Sequence, residues 1–142
     1  MHTAMIRNVL IGLAGSVLVA AGSAAVAETV TYKAALAAPA AIDSKATGTA
    51  EVTFDTATKT LSWTINFDGL TGPSTMAHFH GPAAPGANAG VALMIATNPT
   101  SPAKGTATLT DAQADDLQGG RWYINIHTNA NRGGEIRGQV VK

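Results

Sequence analysis

The stretch TGTAEVTFDTATKTLSWTINFD, residues 47–68, decides the fold class. Gly48, Ala50, Val52 and Phe54 alternate with Thr47, Thr49, Glu51 and Thr53. Leu61, Trp63, Ile65 and Phe67 then alternate with Ser62, Thr64, Asn66 and Asp68. Successive side chains of an extended strand point to opposite faces, so a period of two gives each run one apolar and one wet face. Asp55–Lys59 joins the two runs as a hairpin turn.

The same pattern extends in both directions. Val30, Tyr32, Ala34 and Leu36 form an alternating run upstream. Downstream, strands are expected over Met76–His80, Val91–Ala96, Gly105–Leu109, Arg121–Thr128 and Ile136–Val141. Gly, Pro, Asn and Ser clusters separate them. Short strands so spaced predict an all-β, antiparallel Greek-key sandwich or barrel. Thr110-Asp111-Ala112-Gln113 breaks the pattern as a capping box. It predicts one short helix near 110–118, stopped by Gly119-Gly120.

Composition narrows the function. The 142 residues carry nine basic and nine acidic side chains, a formal net charge of zero. The basic residues are scattered, which argues against the clustered Lys and Arg of a nucleic-acid binder. The absence of cysteine removes disulfides, thiolate metal ligands and cysteine nucleophiles. No serine has the surroundings of a nucleophile elbow.

Met1–Ala27 reads as a secretory signal peptide. Arg7 precedes an uncharged apolar run, Val9–Ala21, and Ala25-Val26-Ala27 offers a small-x-small cleavage pattern. The run is shorter than the ~20 residues of a spanning helix. The expectation is an exported product, Glu28–Lys142, periplasmic or secreted and free of the membrane after cleavage.

That product holds three histidines, His78, His80 and His127. Two residues apart on a strand, His78 and His80 share a face, opposite Ala77 and Phe79. His127 lies opposite Trp122, Ile124 and Ile126, on the face of Tyr123 and Asn125, so all three histidines point away from the apolar face of their strands. Pairing with the last strand sets His127 across from Glu135 or Arg137, either of which places a charge beside the imidazole. Three imidazoles are the protein ligand set of a catalytic zinc site, and they suit copper equally. Glu135 and Arg137 are candidates to orient or tune the ligands from behind. The loop Gly81–Gly90 follows the pair directly and is placed to wall off a site.

Four segments together resemble the CHRD domain. They are His78-Phe79-His80-Gly81-Pro82-Ala83, then Leu109-Thr110 with Gln113 and Leu117, then Gly120–Thr128, then Gly133–Gln139. That domain is named after chordin, a secreted animal inhibitor of bone morphogenetic proteins, and stand-alone copies occur in exported bacterial proteins. The resemblance covers Thr29 to Lys142 and sets the domain at 28–142. It implies a β-sandwich similar in plan to copper–zinc superoxide dismutase. By that analogy His78, His80 and His127 are copper-type ligands, and Arg137 or Arg132 guides an anion. No further histidine is left to bridge a second metal.

Three functions follow as expectations. The first is an exported protein binding one transition metal, copper ahead of zinc, with superoxide or related redox chemistry where an open position meets solvent. The second is a metal-independent extracellular interaction module, the role chordin suggests, with a protein partner. The third, a hydrolase or lyase using zinc-bound water with Glu135 as base, ranks last.

Overall fold

The computed structural model describes residues 21–24 and 26–142. The expected leader lies outside them except for 21–24 and 26–27, which have no regular structure. Eight strands and one helix follow. They are β1 (Thr29–Ala37), β2 (Thr47–Asp55), β3 (Thr60–Asp68), β4 (Ser74–His80), β5 (Val91–Thr97), β6 (Ala103–Thr108), α1 (Asp111–Gln118), β7 (Tyr123–Thr128) and β8 (Ile136–Gln139).

The first three strands form a meander whose ladders run unbroken over the whole of each strand. The β2–β3 turn is held by Asp55, whose Oδ1 accepts from the backbone N–H groups of Ala57 (2.9 Å) and Thr58 (2.8 Å). Lys59 completes the turn at φ 57°. The chain then crosses over. The hairpin β4–β5 joins the sheet through β7, while β6 returns to the free edge of β3. The resulting order is β5-β4-β7-β8-β1-β2-β3-β6, with every pair antiparallel. The end strands β5 and β6 approach each other, so the sheet curls into a nearly closed barrel. Closure of this kind protects strand edges that would otherwise offer unpaired backbone groups.

The alternation fills the barrel as expected. Tyr32, Val52, Phe54, Leu61 and Ile65 meet Phe79, Trp122, Ile124, Ile126 and Ile136, all almost fully buried. Trp63 sets its edge against Phe79 at 5.4 Å between ring centroids. The helix buries Ala114 and Leu117. Its capping box is complete: Gln113 N donates to Thr110 Oγ1 (3.2 Å), and Thr110 N donates to Gln113 Oε1 (2.9 Å). Among the described residues, no helix is long and apolar enough to cross a membrane.

Two expectations need correction. Strand ends differ: β4 begins earlier, at Ser74, which pairs with Thr128 across a bulge. β7 begins later, at Tyr123, because Arg121 turns back to α1, its backbone N–H on Asp116 O and its guanidinium on Asp116 Oδ1. The second correction concerns the outer face of β4 and β7. His78, His80, Tyr123 and Asn125 occupy it as expected, yet all four are buried. The loop 81–90 folds over them. Gly81 N donates to Gly90 O, Ala83 N to Arg121 O, and Tyr123 Oη to Ala89 O. The alternation describes a strand in isolation; the cover comes from the loop whose place directly after the histidine pair marks it as a wall of the site.

Candidate metal centre

The β4–β7 register brings the histidines together. Met76 pairs with His127, His78 with Asn125, and His80 with Tyr123. Paired residues share a face, so His127 joins the two β4 imidazoles. Ring centroids lie 5.5 Å apart for His78–His80, 5.1 Å for His78–His127 and 5.9 Å for His80–His127. One ligand nitrogen from each residue falls within 4.8 Å of the other two. His78 Nδ1 and His127 Nε2 are 3.2 Å apart. Zinc–nitrogen bonds of about 2.0–2.1 Å in tetrahedral geometry set neighbouring nitrogens at about 3.3 Å.

Backbone carbonyls orient two of the rings. His127 Nδ1 lies 2.8 Å from Arg132 O, and His80 Nδ1 lies 2.9 Å from Ala89 O. A carbonyl only accepts, so each Nδ1 carries a proton and Nε2 is the nitrogen left to offer a lone pair when the ring is neutral. His80 Nε2 is buried without any hydrogen-bond partner. Tyr32 Oη, Trp63 Nε1 and Trp122 Nε1 are buried without a partner as well, so the mark of a metal ligand is the convergence of the three imidazoles.

The surroundings favour neutral His78 and His80. Burial lowers the pKa of His78 below its ordinary value, helped by the charges of His127 and His80. Burial also lowers that of His80; His127 and Arg137 push the same way, while hydrogen bonds to Ala89 and Gly90 push back. Neutral imidazole is the form that ligates.

Arg137 is held behind the cluster. It pairs with Asn125, so it does not stand across from His127. Its guanidinium lies 3.8 Å over the Tyr123 ring, and Tyr123 stacks on His80 at 5.0 Å and 10°. Its two amino groups donate to Asn88 Oδ1 and Ala87 O, both at 2.7 Å. Arg137 thus clamps the covering loop and leaves its positive charge near His80. Arg132 reaches the centre through its backbone carbonyl. An open cleft of about 650 Å³ adjoins this side, with Arg137, Asn88, Asn125 and Gly134 among its walls.

Glu135 does not orient His127, contrary to expectation. It follows the ladder as the next residue opposite His127, and its N–H donates to Ile126 O. Its side chain, however, turns into the protein and is fully buried. The carboxylate accepts from Ser44 Oγ (2.7 Å), Thr71 N (2.8 Å), Thr71 Oγ1 (2.8 Å), Thr128 Oγ1 (2.7 Å) and Asn131 Nδ2 (3.3 Å). Burial pushes its pKa up, but the hydrogen bonds from Ser44, Thr128 and Thr71 prevail and hold it at about 2. So placed, it is no general base for a metal-bound water. Tyr123 and the carbonyls of Ala89 and Arg132 are the supporting groups instead. Tyr123 was visible as a neighbour on the histidine face; the two carbonyls left no mark in the sequence.

Gly134 lets the β7–β8 connection lie directly against Asn125. It sits at φ 118°, and a Cβ there would collide with the Asn125 amide. Asn125 Nδ2 meanwhile donates to Gly133 O at 3.0 Å.

These features define an all-β barrel domain with a three-imidazole cluster under a covering loop. The chain belongs to the CHRD domain family, whose model matches residues 19–140. Comparison with curated proteins finds no match, and comparison with solved structures finds none. The CHRD assignment thus agrees with the sequence motifs, whereas the likeness to copper–zinc superoxide dismutase has no structural neighbour behind it.

Proposed function

We propose that this CHRD protein is exported and binds one transition metal, copper, through His78, His80 and His127. The convergence of the three imidazoles within 4.8 Å carries the reading, with the buried, unpartnered Nε2 of His80 beside it. An empty apolar role for that nitrogen leaves its desolvation cost uncompensated, whereas a metal ion satisfies it. Copper ranks above zinc because divalent affinity at nitrogen sites peaks at copper. Bound there, copper supplies one-electron exchange with a small oxidant such as superoxide.

The protein's own contribution is positional. Ala89 O and Arg132 O fix two tautomers, Tyr123 backs the His80 ring, and the loop 81–90 limits water. The charge of Arg137 draws anions toward this side. Export is supported by the leader-like pattern of Met1–Ala27.

The test is Cu²⁺ titration of the metal-free protein by calorimetry, with His80→Ala and His127→Ala beside it. One equivalent bound by the parent chain, and binding weakened at least about 10–100-fold in each variant, supports the site. A folded parent chain that takes up neither copper nor zinc contradicts it and favours the metal-independent interaction module. Sequencing of the secreted product tests export: its first residue is expected to be Glu28, and an intact Met1 in the cell interior contradicts this.

A further inference from the structure

Two methionines flank the histidines. On β4, Ala77 and Phe79 are buried in the barrel, so Met76 alternates onto the face of His78 and His80. Met76 is paired with His127 on the neighbouring strand. On the other side, β5 pairs Met94 with His78. Leu93 and Ile95, on either side of Met94, pack against the core. Met76 and Met94 do not belong to that packing, and Met94 is 47% exposed.

The register therefore sets one methionine beside His127 and, next to a bulge in the β4–β5 ladder, another beside His78. Cross-strand partners hold their Cβ atoms about 4.5–5.5 Å apart. Methionine adds three rotatable bonds, which let its sulfur swing over a neighbouring ring. Neither side chain has a core to fill, and an exposed methionine on a strand gains little by burial.

From this we infer that Met76 and Met94 are soft donors of the same centre and make it selective for copper(I). The inference rests on the three-histidine reading. Thioether sulfur favours copper(I), while imidazole serves zinc and copper(II). The methionines thus add affinity for one oxidation state and little for zinc.

The test uses the metal-free protein and the double variant Met76→Leu/Met94→Leu, with the single variants beside it. Leucine keeps nearly the volume and apolarity of methionine. Copper(I), kept reduced by ascorbate, is competed against a chromophoric copper(I) chelator, and Zn²⁺ affinity is measured in parallel. The double variant is expected to lose copper(I) affinity by about tenfold or more, the scale of removing one contact at a metal site. Its Zn²⁺ affinity is expected to stay within about twofold of the parent. X-ray absorption of the copper(I)-loaded parent is expected to show sulfur scattering that the double variant lacks. Equal copper(I) affinity in parent and double variant overturns the inference and leaves the histidine site standing. So does an equal loss of copper(I) and zinc, which marks the methionines as structural. A parent chain that binds neither ion overturns the histidine site itself, and this inference with it.

Discussion

Glu135 ties together segments far apart in the chain. Its carboxylate joins the β1–β2 connection at Ser44, the β3–β4 connection at Thr71, and β7 with its following loop at Thr128 and Asn131. A carboxyl held at about 2 in the folded protein, against an ordinary value of 4.5, stabilises the fold by about 3 kcal/mol at neutral pH. The pKa is depressed, so this stability is fully present above about 4.5 and is lost as pH falls toward 2. Glu135→Gln is expected to lower the unfolding free energy by about 3 kcal/mol at pH 7, measured by urea denaturation. The gap between parent and variant should shrink as pH falls below 4; a gap unchanged at pH 3 contradicts the assignment. None of this was visible from Gly133-Gly134-Glu135, because Ser44 and Thr71 lie 91 and 64 residues away. His78 and His80, by contrast, were readable because a strand's period of two needs no knowledge of the rest of the chain.

The elements themselves were mostly written locally. The capping box at Thr110 satisfies two backbone N–H groups of α1 from within four residues, and sequence placed that helix correctly. Gln113 adds a longer reach, donating through Nε2 to Ala92 O on β5 at 2.9 Å. Thr110→Ala is expected to cost about 1 kcal/mol of stability by thermal or urea unfolding, with metal uptake unchanged. A loss of metal together with the cap would show that α1 supports the centre. The covering loop behaves differently. It is anchored by Tyr123 and Arg137, residues of strands remote in sequence. Tyr123→Phe removes the hydroxyl that bonds both N–H and C=O of Ala89. It is expected to raise amide hydrogen exchange at residues 87–90 by about fivefold or more, as one hydrogen bond of about 1 kcal/mol implies. Unchanged exchange contradicts the anchoring. Strand ends shifted by two residues at β4 and β7 because a bulge and the return of Arg121 to α1 act through space, not through the local pattern.

The barrel as a whole decides whether the histidines meet. Alternation predicted strands and faces, but several strand orders satisfy the same faces. Only the crossover that sets β7 beside β4 brings His127 within reach of His78. The same crossover places Met76 opposite His127, a pairing no spacing in the sequence announces. The CHRD motifs carry this arrangement implicitly, since they fall on β4, α1, β7 and β8 and so on the strands that build the centre. The most direct check of the metal site is the metal content of the protein isolated without added metal, read with its copper spin-resonance spectrum. Near-stoichiometric copper, showing nitrogen hyperfine structure once oxidised to copper(II) and lost in His78→Ala/His80→Ala, is the predicted result. A folded protein that carries no metal, and takes up none on titration, contradicts the three-histidine centre.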